Sequence, residues 1–127
     1  MKAIVCNEFG PLSDLEYKDL PDPEAGPGQV LIKVEACGVN YPDGLLVQGK
    51  YQVRPDRPFI PGSEVAGEIV ALGSQVDDLA VGQRVSGEGH LIGKTSRASR
   101  AGRFHLDPET RGIGVNEQGA FAEYLRL

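Results

Sequence analysis

The chain is 127 residues long, the size of one domain with one hydrophobic core. Its 17 glycines and 9 prolines argue for many turns and short strands, and against a helical bundle or coiled coil. With no Trp, 6% aromatic residues and a net charge of −5, it lacks both a base-stacking platform and the basic surface of a generic nucleic-acid binder.

The first element is a strand over residues 2–5, Lys-Ala-Ile-Val. Residues 15–20 alternate apolar and polar, the period of a half-buried strand. Pro21, Pro23 and Pro27 remove ladder donors from the segment 21–28, so no strand crosses it. Residues 30–37 are the clearest strand: β-branched and apolar, with Lys33 and Glu35 on one face. Residues 41–48 predict one short helix. Pro42 suits its first turn, Leu45 and Leu46 face inward, and Gly49 ends it. Pro55, Pro58 and Pro61 mark a loop. Strands follow over 64–72, from a turn at Gly82-Gln83 into Arg84-Val85, and over 119–127. The expected fold class is mostly β with one or two short helices, arranged as a partly open barrel or sandwich.

Residues 86–112 differ from the rest and show no clean period. Between 90 and 111, Lys94, Arg97, Arg100, Arg103 and Arg111 face only Asp107 and Glu109, a local charge of +3 that leaves −8 on the remainder. The Arg97, Arg100, Arg103 spacing reads as a solvated basic loop before it reads as an anion-binding stripe. Cys6 and Cys37 are the only cysteines, too few for a four-cysteine zinc site. A bridge between them depends on geometry, and buried free thiols are the expectation. The N-terminal residues lack the apolar run of a signal peptide, and no later stretch reaches transmembrane length. A cytoplasmic protein with no membrane partner is therefore expected.

Four segments in register carry a resemblance: Gly26-Pro27-Gly28-Gln29-Val30-Leu31-Ile32-Lys33-Val34, Ala36-Cys37-Gly38-Val39-Asn40-Tyr41-Pro42-Asp43, Pro61-Gly62-Ser63-Glu64-Val65-Ala66-Gly67-Glu68-Ile69-Val70 and Val81-Gly82-Gln83-Arg84-Val85. They resemble the N-terminal, GroES-like domain of the medium-chain dehydrogenase/reductase superfamily, a partly open β barrel. The resemblance places Asn40 and Ser63 where the zinc alcohol dehydrogenases of that superfamily hold zinc through Cys and His. An amide and a hydroxyl are poor substitutes for a thiolate and an imidazole. Cys37, three residues earlier, reads as a strand-end core residue. Residues 1–85 thus resemble the zinc-independent quinone oxidoreductases, which implies hydride transfer from NADPH to a quinone or enone. Asn40, Tyr41 and Asp43 are then the implied catalytic residues at the cleft mouth, with Tyr51 and Ser63 against the substrate. Packing is the competing reading for both tyrosines, and helix capping for Asp43. Glu64 is expected to serve the domain's own hydrogen bonding.

The second half resembles threonine 3-dehydrogenases, through residues 85–90, Arg100-Ala101-Gly102-Arg103-Phe104-His105-Leu106, 112–116 and 119–124. In those enzymes this stretch is a lobe that holds structural zinc through four cysteines. By position, the four ligands fall on Gly93, Ser96, Ser99 and Asp107, so the resemblance implies no zinc here. The lobe, short of apolar residues and of metal, is expected to be mobile, or ordered only by packing against a partner. The segment 112–117, Gly-Ile-Gly-Val-Asn-Glu, has Glu where a dinucleotide fingerprint needs its third Gly. No NADPH site is therefore expected in these 127 residues, and an isolated domain with little or no turnover is the leading functional reading. The alternative is a non-enzymatic scaffold, chimeric, ancestral or cut down, that self-associates through bare sheet edges.

Overall fold

The computed structural model describes residues 1–87 and 89–127; Glu88, part of the second-half resemblance, lies outside them. Strand β1 (Lys2–Val5) pairs antiparallel with β2 (Glu16–Asp19) in a two-stranded sheet, with Val5 opposite Glu16 and Lys2 opposite Asp19. The alternation over 15–20 does not mark a buried face at Tyr17, which is 71% exposed. The ribbon has only two strands, so one face of β2 stays in water.

Strands β3 (Val30–Ala36), β4 (Val65–Leu72) and β5 (Arg84–Gly87) form most of the main sheet. Two register shifts interrupt the β3–β4 ladder, between Leu31 and Ile32 and between Val34 and Ala36. Each inserts an unpaired residue and bends the strand, which curves the sheet toward a barrel without closing it. After β5 come β6 (His90–Leu91), helix α2 (Arg97–Arg100), a 3-10 turn at Phe104–Leu106 and β7 (Arg111–Gly112). Strand β8 (Tyr124–Arg126) then pairs with β3, giving the four-stranded order β5-β4-β3-β8. β6 and β7 pair only with each other.

The core lies inside the curved sheet. Ile32, Val65, Ile113, Ala120 and Leu125 form one buried cluster, with Ile113 entering from the chain that leaves the lobe. A second cluster joins Cys6, Leu46, Val47 and Phe59. Leu46 and Val47 come from helix α1 (Tyr41–Val47), which begins with Pro42 in its first turn. Gly49 follows at φ +66°, where its missing Cβ lets Phe9 pack directly on the backbone. Cys6 and Cys37 are both unbridged. Among the described residues, no helix is long and apolar enough to cross a membrane.

Candidate functional site

Strand β3 delivers the chain to the site. Past Ala36 it runs through Cys37, Gly38 and Val39 to Asn40, which caps α1 in an extended conformation (φ −113°, ψ 154°). The Asn40 N–H donates to the Asp43 carboxylate at 2.8 Å, half of a capping box. Asp43 is only 3% exposed, and its Oδ1 finds no hydrogen-bond partner among the described residues. Burial pushes its carboxyl above the usual range. The backbone N–H groups of Asn40 and Gly62 pull the other way, and the Glu64 charge adds to the rise. Asp43 thus ties down the start of the helix, at the cost of an unpaired buried oxygen.

A cavity of about 540 Å³ opens on one side of α1. Asn40, Tyr51 and Ser63 line it together, three of the five residues singled out in the sequence. Ser63 is aimed by Gly62. At φ +101°, a Cβ on Gly62 would sit 2.7 Å from the Phe121 ring and 3.0 Å from Cys37 Sγ, so only glycine makes this turn. Tyr51 packs against the cluster of Cys6, Leu46 and Phe59, which fixes its ring at the wall. Tyr41 and Asp43 lie elsewhere. They line a second groove of about 660 Å³ on the other side of α1, with Leu12, Leu45 and Phe121. Asn40 reaches both. Tyr41 and its neighbour Val39 are 81% and 82% exposed.

His90, Thr110 and Asn116 complete the first cavity. Sequence patterning does not find them as site residues. They come from the two ends of the lobe, brought together by the β6–β7 pairing of His90 with Gly112. Glu64 also lines the cavity, and its side chain folds over Gly38, where a Cβ would meet the carboxylate at 2.0 Å. The segment 112–117 is not a strand–turn–helix unit. β7 ends at Gly112, and Ile113 closes back on Glu117 through a single bridge.

His90 and Glu64 are the zinc-type donors at the cavity wall, too few for a tetrahedral set. Asn40 offers an amide and Ser63 a hydroxyl. Cys37, nearby under Gly62, is held as a thiol: burial pushes it up to about 11. Among the described residues, no group of three or more His, Cys, Asp or Glu side chains is placed to hold a metal ion.

This arrangement, a curved antiparallel sheet, a cavity beside α1 and a long excursion between β5 and β8, matches a known domain. The family model of the alcohol dehydrogenase GroES-like domain matches residues 26–127. The chain belongs to that family. This GroES-like domain is 58% identical, over all of its length, to an L-threonine 3-dehydrogenase of Ruegeria pomeroyi, of which it spans 37%. An L-threonine 3-dehydrogenase of Streptomyces avermitilis is 44% identical over the same extent. The fold superposes with a TM-score of 0.92 on the cobalt- and zinc-bound thermostable alcohol dehydrogenase of Pyrobaculum aerophilum, which is 33% identical. All of this chain and 39% of that one are covered. The chain thus spans just over a third of the curated relatives it matches. Similarity to threonine 3-dehydrogenases runs through both halves of the domain and is not confined to residues 86–127.

Proposed function

We propose that this domain is the substrate side of a nicotinamide-dependent oxidoreductase that holds its substrate oxygen by hydrogen bonds in place of zinc. The observation that carries the reading is the meeting of Asn40, Ser63 and Tyr51 at one cavity wall. The Asn40 amide N–H and the Ser63 hydroxyl both donate, and both suit a carbonyl oxygen that gains negative charge during reduction. Tyr51 offers a flat apolar face for a ring. Bound NADPH would supply the hydride. The segment 112–117 does not provide for it, and the relatives this domain matches are nearly three times its length.

The donors at Asn40 and Ser63 favour one substrate class over another. Oxidising an unactivated alcohol requires stabilising an alkoxide, which a Lewis acid does well and two neutral donors do poorly. A quinone or enone is already polarised by conjugation, and its reduction chiefly needs orientation and exclusion of water. Quinone or enone reduction is therefore the first reading. Oxidation of L-threonine is the second, favoured by the 58% identity to a threonine 3-dehydrogenase across the whole domain.

The test uses the complete protein. It is assayed with NADPH and a panel of quinones and enones, and separately with NAD⁺ and L-threonine, each with and without chelator. The first reading expects quinone or enone turnover that survives chelation. Asn40→Ala and Ser63→Ala should each lower kcat/KM by roughly 10- to 100-fold, the scale for losing one oxyanion donor. Threonine turnover with no quinone or enone turnover selects the second reading. Activity abolished by chelator and restored by zinc overturns the metal-free site. Alone, this domain is expected to turn over little.

A further inference from the structure

The four lobe positions where the sequence resemblance implies structural-zinc ligands, Gly93, Ser96, Ser99 and Asp107, do converge in space, but with other chemistry. Ser96 and Ser99 hydroxyls lie 2.7 Å apart, and the Ser96 hydroxyl accepts from the Ser99 N–H at 3.1 Å. The Ser99 hydroxyl donates to Asp107 Oδ2, and Asp107 Oδ1 accepts from the Glu109 N–H at 2.8 Å. Ser99 and Asp107 are 8% and 6% exposed, the only buried polar side chains besides Asp43 among the described residues. The fourth position is closed by packing. A Cβ on Gly93 would come 2.7 Å from the Glu109 Cβ and 2.9 Å from Asp107 Oδ2. Thr95 then donates to the Glu109 carboxylate at 3.0 Å, drawing that side chain across the gap.

We infer that Ser96, Ser99 and Asp107 form a hydrogen-bonded knot that orders residues 93–109 without metal. The chemistry is self-consistent. A carboxylate needs donors, and it receives one from a hydroxyl and one from a backbone N–H. Without Asp107 the Ser99 hydroxyl loses its acceptor and keeps only the Ser96 hydroxyl, and burial makes a lost partner costly. Apolar burial cannot do this work, because Ile92, Phe104 and Leu106 are 38%, 49% and 58% exposed. The knot fastens one end of the lobe. The other is fastened by Ile113 in the main core, and between them lie the His90 and Thr110 positions of the cavity wall. The inference concerns the lobe alone and stands apart from the substrate reading.

The test is limited proteolysis of the chain with trypsin, whose sites at Arg97, Arg100 and Arg103 lie within the knotted segment. Cleavage there should be slow, and unchanged by chelator. Ser99→Ala and Asp107→Ala should each speed it about tenfold, on the scale of unpairing one buried group, and the double variant should be little worse than either single one. Ser99→Thr, which keeps the hydroxyl, should stay slow. Should a variant fail to fold, hydrogen exchange of the unaltered chelated chain decides: the Ser99 and Glu109 N–H groups should be protected. Cleavage that chelator accelerates, cleavage indifferent to both alanine variants, or unprotected Ser99 and Glu109 amides would each overturn the inference.

Discussion

The β body and the lobe between β5 and β8 are held together by opposite means. The body is apolar inside: Ile69 is fully buried, and Ile32, Val65 and Leu125 are nearly so. Between Gly93 and Glu109 the lobe buries a serine and an aspartate and leaves Phe104 and Leu106 about half exposed. Cohesion by area is diffuse and tolerant, whereas cohesion by a few hydrogen bonds depends on each partner. The cavity sits where the two meet, with Asn40, Tyr51 and Ser63 from the body and His90, Thr110 and Asn116 from the lobe.

The sharpest way to break this contrast is a pair of truncations. Ile69→Ala removes a side chain with 0% exposure and should cost about 2–5 kcal/mol in chemical denaturation. Leu106→Ala, at 58% exposure, should change stability by less than about 0.5 kcal/mol. A comparable loss from both would mean that the lobe has an apolar core after all.

Acid should separate the regions by sign. Asp107 is held below the usual carboxylate range, first by the Ser99 hydroxyl and then by the Glu109 N–H. Its contribution is present above the ordinary aspartate value and is lost as pH falls through the lowered one. Asp43 is raised by burial, so its ionisation opposes folding, and acid relieves that opposition. Hydrogen exchange corrected for intrinsic rates, compared at about pH 6 and about pH 3, should show the Ser99 and Glu109 amides losing protection. The Asp43 amide should hold or gain protection relative to them.

Much of the body was legible in the sequence because its strands are written in β-branched alternation. The strands at 2–5, 30–36 and 65–72 and the helix at 41–47 lie within two residues of expectation. Tyr17 misled because alternation implies a covering layer that a two-stranded ribbon lacks. The lobe was opaque to pattern. Ser96, Ser99 and Asp107 carry no hydrophobic period, and resemblance could say only which ligands were missing, not what had replaced them. The site was half legible for the same reason. Asn40 and Ser63 stand in motifs, but His90 and Asn116 reach the wall through a chain return that no local spacing encodes.

Smaller effects sharpen the picture of a closed body. Cys37, under Gly62, has its thiol pushed up to about 11, so roughly a thousandth is ionised at pH 8. Iodoacetamide should label it slowly in the native chain, faster by about tenfold per pH unit toward that value, and rapidly in denaturant. Rapid native labelling at pH 8 would show the body opening beneath the site. At the edge of the main sheet, Arg84 meets Glu35 at 3.0 Å with both side chains well exposed. Glu35→Gln should alter stability by less than about 0.5 kcal/mol in the same denaturation assay.

Metal content tests the account most directly. The chain, produced in zinc-supplemented medium and dialysed without chelator, is weighed intact by native mass spectrometry. The account predicts the mass of the bare polypeptide, with the Ser99 and Glu109 amides protected in that same sample. One stoichiometric zinc per chain, lost on chelation together with that protection, would contradict it.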